Sequence, residues 1–221
     1  MIHAAVTWAN VFPEAKVESV LRYVVESWED LTSKFPSTHS YEVREERLTD
    51  SLALHLDDPA RRQRRGIPGR FLSERWNLRR LPSGEIKRES RSDIVYTDGI
   101  PGGPQLVMEF KKLSGTTKLH TLYCSEGMAR FADGLYSPEQ KIGAMCGVLK
   151  PSSSDPTALV SFLGCMPATM VKRLGWDSAG HGIRSPSVLA PSVALCDSVH
   201  ARGPNCGNAD ISLAHVFITA A

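Results

Sequence analysis

Three apolar segments between Gly69 and Leu113 restrict this chain more than any other feature. They read "GRFLSERWNLRRL", "SDIVYT" and "QLVMEFKKL", and they are separated by "PSGEIKRE" and "DGIPGGP". Extended segments joined by short Pro- and Gly-bearing turns predict an antiparallel meander of three strands. The second and third strands carry Asp93, Glu109 and Lys111, residue types a buried strand should not hold. Alternation puts Leu106, Met108 and Phe110 on one face of the third strand and Val107, Glu109 and Lys111 on the other. In the second strand Asp93 and Val95 point away from Ile94 and Tyr96. Pairing of these strands through their turn would set Asp93 beside Glu109.

Helical patterns precede the meander. In "PEAKVESVLRYVVESWEDLTSKF" the residues Val17, Val20, Leu21, Val24, Val25, Trp28 and Leu31 recur at steps of three and four, so an amphipathic helix is predicted from Pro13 to Phe35, stopped by Pro36. A second helix is predicted over "YEVREERLTDSLALHL", with Val43, Leu48, Leu52 and Leu56 on its apolar face and Glu42, Glu45 and Glu46 in its first turns. Acids there favour the helix dipole, which accounts for two of the three. After the meander, the stretch 125–149 has mostly helical spacing and predicts two short helices, or one broken near Pro138. The polar linker "KPSSSDPT" follows. Then "ALVSFLGCM", "SVLAPSVALCDSV" and "ISLAHVFI" favour strands, although the first also suits a buried helix. The order predicts an α/β protein, an α+β sandwich with a central mixed β-sheet flanked by helices. We expect one domain over 1–221, with an N-terminal packing helix in 1–40, a catalytic core in 41–149 and sheet-completing strands in 150–221.

Two carboxylates held close on a sheet raise each other's pKa and cost stability unless a cation neutralises them. Oxygen ligands at this density suit Mg²⁺ or Mn²⁺, which bind through one or two carboxylates together with substrate phosphate oxygens. A neighbouring lysine can orient a water that attacks phosphorus, and can stabilise the charge that develops. The constellation therefore points to metal-assisted phosphodiester hydrolysis.

Asp93, then fifteen residues, then Glu109-Phe110-Lys111, on consecutive strands after a glutamate-bearing helix, resembles the PD-(D/E)xK nuclease superfamily. Its restriction-endonuclease-like core is what the resemblance implies for the fold. Asp93 and Glu109 match the metal-binding acids, with the Phe110 backbone carbonyl as a further ligand, and Lys111 matches the catalytic lysine. Glu46 is the best match for the additional acid of the helix, with Glu45 and Glu42 behind it because helix phase is not set by the sequence. No proline precedes Asp93, where the pattern often has one; Ser92 stands there. The resemblance covers Tyr41 to Leu149 and implies a Mg²⁺- or Mn²⁺-dependent nuclease leaving a 5′-phosphate and a 3′-hydroxyl. DNA is the expected substrate, with RNA left open. A homodimer, an ATPase or helicase partner subunit, and a role in antiviral defence against foreign DNA are further expectations.

A formal net charge of +2 over 221 residues does not announce a nucleic-acid binder, but its distribution is uneven. Between 61 and 91 basic residues, among them Arg61, Arg62, Arg64, Arg65, Arg70, Arg79, Arg80 and Arg91, far outnumber Glu74, Glu85 and Glu89. This stripe is either a solvated surface or a set of phosphate contacts. Its proximity to Asp93 favours the second. Gln140, Lys141 and Arg130 could approach a phosphate, although a solvated helix start and a salt bridge explain them better. His200 and His215 are expected to be satisfied core or surface residues, and Cys124, Ser125 and His120 form no nucleophile motif. The five cysteines have no zinc-ligand spacing and are expected as reduced thiols. No apolar run approaches the roughly 20 residues of a membrane span, so a cytoplasmic protein is expected. Two alternatives stand beside the nuclease: a non-catalytic nucleic-acid-binding or scaffold protein of the same fold, and a small-molecule enzyme on an unrelated sheet.

Overall fold

The computed structural model describes residues 12–80, 86–99, 103–136, 138–151, 155–177, 180–206 and 209–221, with backbone alone for 74–80, 86–91 and 205. Helix α1 (Glu14–Lys34) buries Val17, Val20, Leu21, Val24, Trp28 and Leu31 along one stripe. Pro13 begins it in an extended conformation and Pro36 follows its C-cap, Phe35. Helix α2 (Glu45–Leu56) starts four residues later than the sequence pattern predicts, and buries Leu48, Leu52, Ala53 and Leu56. The short α3 (Pro59–Arg64) opens on Asp58, whose side chain accepts from the Arg61 amide.

The predicted meander is present as β1 (Arg70–Arg80), β2 (Ile86–Thr97) and β3 (Gln105–Leu113), each antiparallel to the next. Strand β2 is longer than expected, because the stretch from Ile86 onward pairs with β1 instead of turning. Helix α4 (Thr117–Leu122) runs through a π-helical turn (Tyr123–Met128) into α5 (Ala129–Ala132). Strand β4 (Ile142–Leu149) then lies parallel to β3. The sequence pattern assigned this segment to a helix. The reason for the difference is that all eight residues are buried on both faces, so a central parallel strand shows no alternation. Gly143 and Gly147 leave room for the Phe131 and Phe217 rings.

Helix α6 (Pro156–Gly164) replaces a predicted strand, started by Pro156 and capped by Asp155, which accepts from the Thr157 amide. Then come α7 (Ala168–Arg173), β5 (Gly182–Arg184), β6 (Ala194–His200) and β7 (Ile211–Thr219). The seven strands form one mixed sheet in the order β1-β2-β3-β4-β7-β6-β5, with β3, β4 and β7 parallel. Helices flank it. On one face α1 and α2 pack on Ile94, Tyr96, Leu106, Met108 and Phe110. On the other, Tyr123, Met128 and Phe131 pack with Val95, Val107 and Met145. Among the described residues no helix is long and apolar enough to cross a membrane.

The second face holds a fully buried polar chain whose protons can be assigned. His200 Nδ1 lies 2.9 Å from the Leu174 carbonyl, which only accepts, so Nδ1 carries the hydrogen. His200 Nε2 then accepts from Ser198 Oγ (2.7 Å), and Ser198 Oγ accepts from His215 Nε2 (2.7 Å). His215 Nδ1 accepts from the Tyr123 hydroxyl at 2.9 Å. Every member is satisfied with both imidazoles neutral. Burial lowers His200 to about 4 and His215 to about 3. Both are core histidines, as expected.

Candidate active site

The β2–β3 ladder runs from Thr97↔Gln105 to Ile94↔Met108, and Asp93 and Glu109 are the next residues along each strand. They stand at the fork where the two strands part. There the Asp93 carboxylate takes over from the ladder: Oδ2 accepts from the Phe110 amide at 2.8 Å. Glu109 is 1% exposed, on the Val107 face, and Lys111 Nζ lies 2.8 Å from its Oε1. Lys111 also donates to the Phe110 carbonyl at 2.8 Å and to Glu45 Oε1 at 3.0 Å. The other oxygen of Glu45 accepts from the Lys112 amide at 2.8 Å, so one carboxylate clamps two successive residues of β3.

Glu45, the first residue of α2, is therefore the helix acid that reaches the site. Glu46 is exposed and lines the same cleft, with no contact to Asp93, Glu109 or Lys111. Exposed Glu42 lies 4.0 Å from Lys150 instead. Glu45 precedes the buried Leu48 by three residues and so stands on the inward side of α2, whereas Glu46 is turned about 100° away.

Arg130 of α5 approaches the same oxygen of Glu109 at 3.5 Å, donates to the Tyr136 hydroxyl at 2.6 Å and pairs with Glu126 at 3.2 Å. It is a salt-bridged residue, as the sequence suggested, and its partners include the site glutamate. Both cations thus lie nearest Oε1 as ion pairs, and both buried oxygens of Glu109 lack a hydrogen-bond partner.

The charges explain the titration. Burial, then the Asp93 charge, raises Glu109 to about 7 against the pull of Lys111 and Arg130. Burial likewise raises Asp93. Burial pushes Lys111 down, but Glu109 foremost, then Glu45 and Asp93, outweigh it and hold the ammonium above its ordinary value. Lys111 stays charged.

Among the described residues no group of three or more His, Cys, Asp and Glu side chains is arranged to hold a metal ion. Lys111 Nζ instead occupies the centre of a cage made by Glu109 Oε1, Glu45 Oε1 and the Phe110 carbonyl. Those are the hard oxygens that Mg²⁺ or Mn²⁺ prefers, and the orphaned Glu109 Oε2 adds a buried acceptor beside them. The donor chemistry is that of a hard divalent cation, and in this structure Lys111 balances these oxygens.

Several arginines of the stripe are paired with carboxylates from other segments. Arg61 pairs with Asp30 at 2.8 Å, Arg65 with Glu26 at 3.0 Å and Arg70 with Asp57 at 2.5 Å. Arg62 is buried, donating to the carbonyls of Asp57 and Gly69. Arg64 is exposed without an ion pair among the described residues. The side chains of Arg79, Arg80 and Arg91 lie outside the described residues. Gln140 is buried, its side-chain oxygen accepting from the Phe12 amide. The Cys124 thiol, pushed up to about 12 by burial, is no nucleophile. A cleft of about 840 Å³ opens over Glu45 and Lys111 between α2 and α4.

Neither the family models, nor the curated proteins, nor the solved structures compared with this chain give a match. The functional reading rests on the site's own chemistry.

Proposed function

We propose that the protein is a divalent-cation-dependent nuclease that hydrolyses phosphodiester bonds of DNA. The observation that carries this reading is the fork of β2 and β3, where a buried, under-bonded Glu109 meets Asp93, Lys111 and Glu45. Such a concentration of carboxylate is unfavourable for stability alone, because burying like charges costs several kcal/mol. It suits a site that waits for a cation.

Asp93, Glu109 and the Phe110 carbonyl would hold Mg²⁺ or Mn²⁺, with Glu45 completing the set. When bound, the cation would offset the carboxylates and draw charge from an oxygen of the scissile phosphate. Lys111 works as a permanent cation: it donates a hydrogen bond to the attacking water or to the negative charge that develops on phosphorus-bound oxygen. Glu45 aims Lys111 by fixing both its ammonium and the next amide of β3. Arg130 and Lys111 balance the Glu109 charge from the Oε1 side, and its under-bonded oxygens would face the cation. Water oxygen bonds to phosphorus as the P–O3′ bond breaks; the attacking water gives up a proton to solvent, and the leaving O3′ takes one from solvent. The products, a 5′-phosphate and a 3′-hydroxyl, follow from the resemblance to PD-(D/E)xK nucleases.

One observation favours the non-catalytic alternative: Lys111 already balances the oxygen cage without a metal. The test is cleavage of plasmid and single-stranded DNA by wild type and Lys111→Ala, with Mg²⁺, Mn²⁺ or EDTA. Cleavage lost in EDTA and in the variant is the expected result. Salt-dependent DNA binding without cleavage under any of these conditions would move the assignment to a binding protein.

A further inference from the structure

The cleft over Lys111 has two chemically different walls. Helix α2 belongs to the core on one face of the sheet and Leu119 of α4 packs against the core on the other, so the two helices flank the end of β3. The α2 wall carries Arg44 and Arg47 with the exposed Glu46 between them, and Lys111 and Lys112 of β3 keep the cleft beside it basic; the α4 wall carries Leu119 and Leu122, the latter 37% exposed. Arg44 and Arg47 are exposed and form no ion pair among the described residues, whereas Glu45 and Glu126 of the same cleft are matched by Lys111 and Arg130. Three residues apart on a helix, the two arginines are neighbours along one side.

Their position works against the helix. Arg44 is the N-cap of α2 and Arg47 lies in its first turn, where a cation opposes the helix dipole by about 0.3 to 1 kcal/mol. Residues kept there at a cost to the helix need a reason outside it, and an anionic ligand in the cleft supplies one. The stripe arginines Arg61, Arg65 and Arg70 are already neutralised by the protein's own carboxylates.

Resting on the nuclease reading, we infer that the cleft takes a single strand of DNA, with its phosphates along Arg44 and Arg47 and its bases against Leu119 and Leu122. A duplex presents phosphates outward and hides its bases, so the leucine wall gains nothing from it. An unpaired strand exposes apolar base faces opposite its backbone, matching a basic wall that faces an apolar one. A ribose 2′-hydroxyl would find no partner on leucine, which favours DNA over RNA.

The test measures fluorescence anisotropy of a labelled single-stranded DNA oligonucleotide, its duplex and the RNA of the same sequence, in EDTA to prevent cleavage. Single-stranded DNA should bind at least about tenfold more tightly than the duplex. Arg44→Gln/Arg47→Gln should weaken it and reduce the slope of log K against log salt by about 1.4, roughly 0.7 per lost phosphate contact. Leu119→Ser/Leu122→Ser should weaken it with the slope unchanged. Melting temperature checks the fold, and the arginine variant should be no less stable than wild type because a cost to the helix has been removed. Duplex or RNA bound as tightly, or an arginine variant with unchanged slope, would overturn the inference. A parallel Mg²⁺ cleavage assay separates the two readings. Cleavage by wild type with unaltered binding by the arginine variant sinks this inference alone, while neither binding nor cleavage sinks the nuclease reading with it.

Discussion

Acid should expose two opposed contributions to stability, one from the buried histidines and one from the carboxylate site. His200 and His215 fold as neutral imidazoles, at about 4 and about 3, against an unfolded value of 6.5. Their folded values are depressed, so stability is full above 6.5 and falls as pH drops below it, when the unfolded chain takes up protons the core refuses. From pH 8 to pH 5 each loses about 2 kcal/mol, or about 4 together. Glu109 acts in the opposite sense. Its folded value, about 7, lies above the ordinary 4.5, so its contribution is full at low pH and lost as pH rises through 7. Acidification to pH 5 returns about 2.5 kcal/mol from this group. Wild type should therefore lose only about 1.5 kcal/mol over that interval. In Glu109→Gln, where the compensating titration is gone, the loss should be about 4 kcal/mol, or roughly 8–16 °C in melting temperature. His55 and His120, both lowered, add in the same direction as the core pair. Urea unfolding of both proteins, metal-free, at half-unit steps between pH 8 and 5 measures the difference. Parallel curves for the two proteins would refute the assignment of Glu109, and a flat curve for Glu109→Gln would refute the neutral histidine chain.

Mg²⁺ or Mn²⁺ in EDTA-free buffer should raise the melting temperature of wild type and leave Glu109→Gln unmoved, by about 2.7 kcal/mol of stability at a hundredfold excess over Kd. Glu45→Ala should cut cleavage by about 10- to 100-fold and lower the melting temperature, because Lys111 and the Lys112 amide lose a partner, whereas Glu46→Ala should stay near wild type in both assays. Equal effects would mean that the helix phase described above is wrong. Gly143→Ala places a methyl 2.6 Å from the Phe131 ring inside the core and should cost about 1–3 kcal/mol in urea unfolding.

The residues that fixed the meander were legible because turn chemistry and alternation are local properties. The register that brings Asp93 beside Glu109 followed from them, and β2 and β3 pair in that register up to Ile94↔Met108. Strand β4 was not legible. Its sequence "IGAMCGVL" is apolar at nearly every position, and burial on both faces erases the period that separates strand from helix. The opposite error occurred at α6, where β-branched content suggested a strand while Asp155 and Pro156 set a helix start. Choosing among Glu42, Glu45 and Glu46 needed the point at which α2 meets β3, a contact between distant segments that the helix's own sequence does not carry. The surroundings of the arginine stripe were not legible for a different reason. Sequence shows the density of charge, but Asp30, Glu26 and Asp57, which neutralise it, come from other segments and meet it only in three dimensions.

The placement of β7 between β4 and β6 has a consequence for how the protein is made. Strand β4 has its β3 partner already synthesised, but its partner on the other edge, residues 211–219, comes only after α6, α7, β5 and β6. A closure over that span is non-local and slow. At ribosomal speeds of about 5–20 residues per second, the nascent chain holds Asp93, Glu109 and Lys111 for some seconds before the sheet that aims them is complete. The site's side chains are thus synthesised on one half of the sheet while the strand that closes the other edge of β4 is still to come.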